Sequence, residues 1–258
     1  MSELERCIDF IRGIATRAAV DKVPSRYGVG LLHPGYPRVW SRNYLLAEEN
    51  LDGVTADELA DETERILGEA GLAHRKVELY DEQVGARLHE DFERRLGWTG
   101  ECDVIMVSRR EPDRASDLPD VDEVGFGDLA PAWAEATSGE PYGTDEDVIR
   151  QLVENKRAVM GAVDTRFFAA SVDGQIASFC ELYSDGDIGQ IEAVMTLEPY
   201  RNRGLARATV LRALAESRAA GNDLTFLIAD RDDWPKHLYA KLGFEEIGRI
   251  YEFVLTGS

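Results

Sequence analysis

The sequence predicts an α+β fold made of mixed, largely antiparallel sheets flanked by helices. Three observations carry the prediction. Short β-rich runs are joined by Asp-Gly turns, which favour tight hairpins. Longer stretches repeat apolar residues at helical spacing. One ordered set of helix, glycine, strand and helix occurs twice along the chain, which is the mark of a repeated unit.

Ser2 to Ala19 is amphipathic, with Leu4, Ile8, Ile11 and Ile14 forming the apolar stripe of a helix. Tyr27 to Leu32 and Val39 to Ala47 read as strands, separated by the turn-rich His33-Pro34-Gly35-Tyr36-Pro37. Gly28-Val29-Gly30 is not a dinucleotide loop, because no helix follows it and the third glycine is misplaced. Thr55 is a natural N-cap for a helix that runs to Ala70 and stops at Gly71. A strand at Lys76 to Tyr80, a helix at Glu82 to Leu96 and a strand at Asp103 to Ser108 complete this half. The polar stretch Arg109 to Asp120 contains two prolines and lacks periodicity, so it reads as a linker. The expected division is a first domain at 1–110, a linker at 111–120 and a second domain at 121–258.

The second half reads as a strand at Val121 to Phe126 and helices at Leu129 to Ala136 and Asp145 to Ala158. A meander of strands follows at Phe167 to Val172, Ile176 to Tyr183 and Ile188 to Thr196, turning at Asp173-Gly174 and Asp185-Gly186. Then come a helix at Leu205 to Ala219, a strand at Leu224 to Ala229, a helix at Pro235 to Leu242 and a final strand at Arg249 to Leu255. Arg95-Leu96-Gly97-Trp98 in the first half parallels Lys241-Leu242-Gly243-Phe244 in the second, and Glu69-Ala70-Gly71 parallels Ala219-Ala220-Gly221. The ordered set points to a duplication.

The chain has 258 residues and a formal net charge of −20, which argues against nucleic-acid backbones as partners and is compatible with basic substrates such as amines. No apolar run is long enough to span a membrane, and the first twenty residues lack a signal-peptide pattern. Three scattered cysteines and four histidines show no metal-ligand spacing. The expectation is a cytoplasmic protein without a metal or a membrane partner, either a monomer or a homodimer.

The chemistry concentrates at Glu198-Pro199-Tyr200-Arg201-Asn202-Arg203-Gly204-Leu205-Ala206, between a strand and a helix. A helix N-terminus leaves its first N–H groups unpaired and aims the positive end of its dipole outward. Gly204 admits an anion close to the backbone, and Arg201, Arg203 and Arg207 add positive charge in an acidic chain. This is a phosphate cradle. The first half has Glu48-Glu49-Asn50-Leu51-Asp52-Gly53-Val54 at the matching place, where a phosphate would be repelled.

With these residues in view, the second half resembles the GNAT superfamily of N-acetyltransferases. The acetyl-coenzyme A signature of that family is met by Arg201, Gly204 and Ala206, and a second signature by Leu238-Tyr239-Ala240-Lys241-Leu242-Gly243-Phe244. The duplicated layout resembles tandem GNAT proteins, including the mycothiol synthase type, with a degenerate N-terminal copy. The resemblance implies two GNAT-like domains and acetyl-coenzyme A as co-substrate. It implies that backbone N–H groups of Asn202, Arg203, Gly204, Leu205, Ala206 and Arg207 bind the pyrophosphate. Val194, Met195 and Thr196 would pair with the pantetheine arm, with the Val194 amide at the oxyanion. Tyr239 would protonate the departing thiolate. The family often carries Asn where this chain has Asp232, which leaves a cofactor-binding role there open.

Strand alternation puts Gln190, Glu192, Val194 and Thr196 on one face and Gly189, Ile191, Ala193 and Met195 on the other. Glu192 is thereby the candidate base for an attacking amine; a water chain, or a merely structural Glu192 in a polar network, stands beside that reading. The acceptor is a primary amine, on a small molecule or a protein. A non-catalytic acyl-coenzyme A sensor or interaction module is the alternative.

Overall fold

In the first half the elements follow from patterning and caps. Helix α1 (Glu3–Ala18) is followed by strands β1 (Asp21–Ser25), β2 (Gly28–Leu32) and β3 (Tyr44–Ala47). Helix α2 (Ala56–Thr63) begins at Thr55, whose hydroxyl accepts from the Glu58 N–H while the Glu58 carboxylate accepts from the Thr55 N–H. Strand β4 (Arg75–Leu79), helix α3 (Glu82–Glu90), capped by Asp81, and strand β5 (Thr99–Ser108) complete it. The expected strand at Val39 to Ala47 is shorter than read, because Trp40–Arg42 forms a 3-10 turn. Strand β1 escaped the sequence reading: its Asp21-Lys22-Val23-Pro24-Ser25 has a single large apolar residue.

The second half holds β6 (Asp122–Val124), α4 (Phe126–Ser138), α5 (Glu146–Glu154), α6 (Lys156–Ala162), β7 (Asp164–Val172), β8 (Gln175–Asp185) and β9 (Ile188–Thr196). Then follow α7 (Leu205–Ala219), β10 (Leu224–Asp230), α8 (Pro235–Lys241) and β11 (Phe244–Leu255). The single helix expected over Asp145 to Ala158 is two, α5 and α6, broken at Asn155.

This computed structural model describes residues 1–116, 118–140 and 143–256, so Asp117 of the expected linker and the last two residues of the expected second domain lie outside the described residues. The chain divides into two units, each discontinuous in sequence. The first unit is Ile11–Val104 with Asp230–Asp232 and the stretch from Gly248 on; the second is Met1–Phe10, Ile105–Ala229 and Asp233–Ile247. The sequence boundaries at 110 and 121 do not coincide with this division. The reason is strand pairing: β11 lies antiparallel to β4, with Tyr251 opposite Leu79 and Phe253 opposite Val77. A linear reading cannot show a partner so far away along the chain.

Within the first unit, β1, β2, β3 and β4 are neighbours in that order, antiparallel except for β3 and β4, which are parallel around α2. Within the second unit, β7, β8, β9 and β10 repeat the same arrangement, antiparallel except for β9 and β10, which are parallel around α7. The core of the first unit gathers Leu45, Leu59, Leu67, Val77, Leu79, Leu88, Phe92 and Phe253, all buried. In the second unit α7 covers one face of the sheet, where the Cys180 thiol meets the Thr209 carbonyl. Helix α4 covers the other, packing Leu129 and Ala132 on Phe167 and Phe179. No helix among the described residues is long and apolar enough to cross a membrane.

Candidate active site

Strand β9 ends at Thr196, and a 3-10 turn at Glu198–Tyr200 leads into the loop before α7. Asn202 (φ 63°) and Gly204 (φ 77°) both adopt left-handed backbone within this short loop. Alternation of this kind turns successive N–H groups toward a common concavity. Gly204 is the N-cap of α7 and no side chain caps the helix, so the amides of Leu205, Ala206 and Arg207 face outward without an intrahelical partner. A glycine suits this place, since a β-carbon at positive φ is disfavoured.

The cations around the turn are arranged less symmetrically than the sequence implies. Arg201 Nε donates to the Thr196 carbonyl at 3.3 Å. Arg203 Nη2 donates to the Pro199 carbonyl at 3.1 Å, with its guanidinium 5.4 Å from the centre of the Tyr200 ring. The Arg207 side chain forms an ion pair with Asp113 and also donates to the Arg114 carbonyl, so what it offers the turn is its N–H. Arg207 in turn holds the Asp113 carboxyl below its usual range. Arg114, assigned to the linker from sequence, is a cation that the reading missed: its Nη2 is 4.0 Å from where a β-carbon on Gly204 would lie. The backbone N–H of Asp113 is anchored on the Lys241 carbonyl at 2.9 Å, which no local pattern could reveal.

Strand β9 departs from simple alternation. Ala193 has φ 51°, and three steps on β9, from Glu192 to Met195, match two on β8, from Glu181 to Phe179. That is a β-bulge, and the extra residue moves every later side chain to the other face. Met195 therefore joins Glu192 on the α4 face, packing against the cluster of Leu129 and Phe179. Thr196 turns to the α7 face, its hydroxyl 2.8 Å from that of Ser178. The expected shared face of Glu192, Val194 and Thr196 is corrected accordingly. The register of β9 with β10 runs from Ile188 and Leu224 to Ile191 and Leu227 and goes no further, although β9 continues to Thr196. Val194, Met195 and Thr196 thus lie beyond the last pair, on the stretch where the two strands part.

On the α4 face, Glu192 sits opposite Glu181 across the strands. Gln190 Nε2 donates to Glu192 Oε2 at 2.7 Å. Burial raises the proton affinity of Glu192; the charge of Lys156 opposes this rise and that of Glu181 adds to it. Glu181 is fully buried and bound by Lys156 Nζ at 2.9 Å, Trp133 Nε1 at 2.9 Å and the Tyr183 hydroxyl. These four residues were missed because their polar groups fall on separate elements, α4, α6 and β8. The available signal was alternation in Glu181 and Tyr183, which places both on the face of Phe179.

Tyr239 lies on α8, buried at 6% exposure, with its ring edge-on to Phe244 at 6.4 Å. Burial pushes its hydroxyl well above the usual tyrosine range, and the negative charge of Glu192 adds to the shift. The structure thus brings Glu192 and Tyr239 into one electrostatic neighbourhood. Asp232 belongs to the first unit, with its exposed carboxylate paired to Arg231 at 2.9 Å. Cys180 is fully buried and its thiol is pushed far up by that burial, which removes it as a nucleophile. A groove of 680 Å³ lined by Pro112, Leu118, Val121, Leu211, Arg212 and others includes neither Glu192 nor Tyr239. Among the described residues no group of three or more His, Cys, Asp or Glu is placed to hold a metal ion.

Residues 130–244, which include the Gly204 turn, β9 and Tyr239, match the model of the Acetyltransferase (GNAT) family. This stretch is similar to GNAT acetyltransferases. Similar solved structures extend over nearly the whole chain. A GCN5-related N-acetyltransferase from Kribbella flavida is 19% identical with a TM-score of 0.65, covering 99% of this chain and 96% of that one. A functionally unknown conserved protein from Staphylococcus epidermidis is 14% identical with a TM-score of 0.67, covering 92% and 94%. A GCN5-related N-acetyltransferase from Sphaerobacter thermophilus is 18% identical with a TM-score of 0.55, covering 92% and 75%. At such identities the likeness shows the fold. No curated protein matches the sequence.

Proposed function

We propose that the GNAT domain is an acetyl-coenzyme A-dependent N-acetyltransferase acting on a primary amine. The observation that carries this reading is the uncapped, doubly left-handed turn at the start of α7, directly after a strand that has parted from its neighbour. Its amides, from Asn202 to Arg207, suit a pyrophosphate, and the stretch Val194 to Thr196, past the last pair with β10, suits the amides of a pantetheine arm. The Val194 N–H is the proposed oxyanion donor. A primary amine attacks the thioester carbonyl carbon, the carbon–sulfur bond breaks, and the nitrogen loses a proton. Glu192, directly or through one water, takes that proton, and Tyr239 gives one to the departing thiolate. Asp232, whose carboxylate pairs with Arg231, has the weakest claim to a cofactor contact.

The repeated order and direction of β1–β4 and β7–β10 support a duplication, with the first unit as the degenerate copy. The acidic stretch before α2 and its self-capped start favour one coenzyme site per chain. A cytoplasmic setting agrees with three free, buried cysteines.

Tyr239→Phe tests the assignment. It is expected to lower kcat by about 100-fold, at the low end of general-acid effects, while coenzyme A binds as before. Unchanged turnover would remove Tyr239 as the acid. Tight coenzyme A binding with no coenzyme release across a panel of amines would favour the non-catalytic sensor instead.

A further inference from the structure

The face shared by β8 and β9 holds more charge than the proposed transfer uses. Glu181 and Glu192 are directly opposed across antiparallel strands, which places their β-carbons about 5 Å apart. Like charges so placed repel, and burial strengthens the repulsion. The groups around them are sharply divided. Glu181, 0% exposed, takes Lys156 Nζ, Trp133 Nε1 and the Tyr183 hydroxyl. Glu192 takes the Gln190 amide, with the Ala193 N–H nearby, and its charge is felt at the Tyr239 hydroxyl on α8. Lys156 is itself buried, 4.4 Å from the centre of the Trp133 ring, and therefore held in place. A buried ion pair is costly to build and is replaceable by apolar packing, so its presence here asks for a use.

We propose that Glu181 and Lys156 are positioning residues that set the proton affinity of Glu192 by acting on it with opposite charges. The inference rests on Glu192 being the base of the proposed transfer. A proton passes from the acceptor nitrogen to a Glu192 carboxylate oxygen and is later released to water. The fixed negative charge of Glu181 strengthens that uptake, while the ammonium of Lys156 keeps Glu192 ionised and ready beforehand. Tyr183 and Trp133 fix the Glu181 carboxylate so that the balance does not drift.

The test is the pH profile of kcat/KM for an amine acceptor, measured on the full chain. Glu181→Gln should move the acid limb down by about one pH unit, and Lys156→Met should move it up by a similar amount, typical of a nearby charge. Lys156→Arg, which keeps the charge, should leave the limb in place. A merely structural pair would lower the plateau or the melting temperature without shifting the limb in opposite senses. Limbs that stay put, or move together, overturn the proposal. If Glu181→Gln fails to fold, Lys156→Met decides by itself, through an upward shift or none. If no amine is turned over even by the wild type, the proposed function fails separately. The ¹³C carboxyl resonance lost in Glu192→Gln then gives the answer: its midpoint must rise in Lys156→Met, and an unmoved midpoint refutes the inference.

Discussion

The two units run the same strand order around a central helix, yet the junctions before α2 and α7 are built for opposite ends. At α2, Thr55 and Glu58 satisfy each other's backbone groups, and acidic residues precede the cap. At α7, Gly204 leaves the first amides open, and Arg201 and Arg203 flank the loop. The strands differ in the same sense. β3 pairs with β4 to the last residue of each, Ala47 with Leu79, whereas β9 runs past its last partner on β10. A helix start can be closed for stability or left open for an anion, and the same topology serves both. Stability and binding compete for the same N–H groups.

The difference is breakable in stated ways. The largest effect should come from spoiling the open turn before α7. Gly204→Ser with Arg207→Glu puts a β-carbon at positive φ and a negative charge into the turn, and should weaken coenzyme A binding by about 100-fold through a distorted amide array and charge repulsion. Calorimetry reads this directly, and on the wild type it should give one equivalent of coenzyme A per chain. Unaltered affinity in the double variant would sink the cradle.

A smaller effect concerns a carboxylate of the first unit, Asp103. Burial and the charges of Glu252, Glu101 and Asp230 push Asp103 up to about 7. The folded chain then keeps a proton that the unfolded chain releases from about pH 4 upward, so this group costs stability as pH rises through that window. Asp103→Asn should therefore lose fewer degrees of melting temperature between pH 5 and pH 8 than the wild type. An equal loss in both proteins would place the pH dependence elsewhere. Neither protein should differ in coenzyme affinity.

The smallest effect belongs to the closed junction itself. Thr55→Ala should cost about 1 kcal/mol of stability, the usual worth of a cap, and leave transfer activity untouched. A drop in kcat/KM from that variant would show that the first unit takes part in the chemistry.

Much of the site was legible in order along the chain. The Gly204 turn, the helix that carries Tyr239 and the hairpins all rest on local rules of turn, cap and periodicity, and such rules act between near neighbours. The faces of β9 were read wrongly after Glu192, because a bulge at Ala193 does not announce itself in an apolar run. Arg114 looked like linker because its place beside Gly204 depends on the anchoring of Asp113 at the end of α8.

The sequence by itself determined an α+β chain with an arginine-flanked glycine turn before a helix and a tyrosine on the helix beyond it. Those features follow from backbone preferences of a few consecutive residues. Only the tertiary structure decided that β11 pairs with β4, that β9 parts from β10, and that Glu181, Lys156 and Trp133 meet around Glu192's partner strand. Each of these depends on which distant groups must share a buried space, and burial is a property of the folded chain that no short window of residues contains.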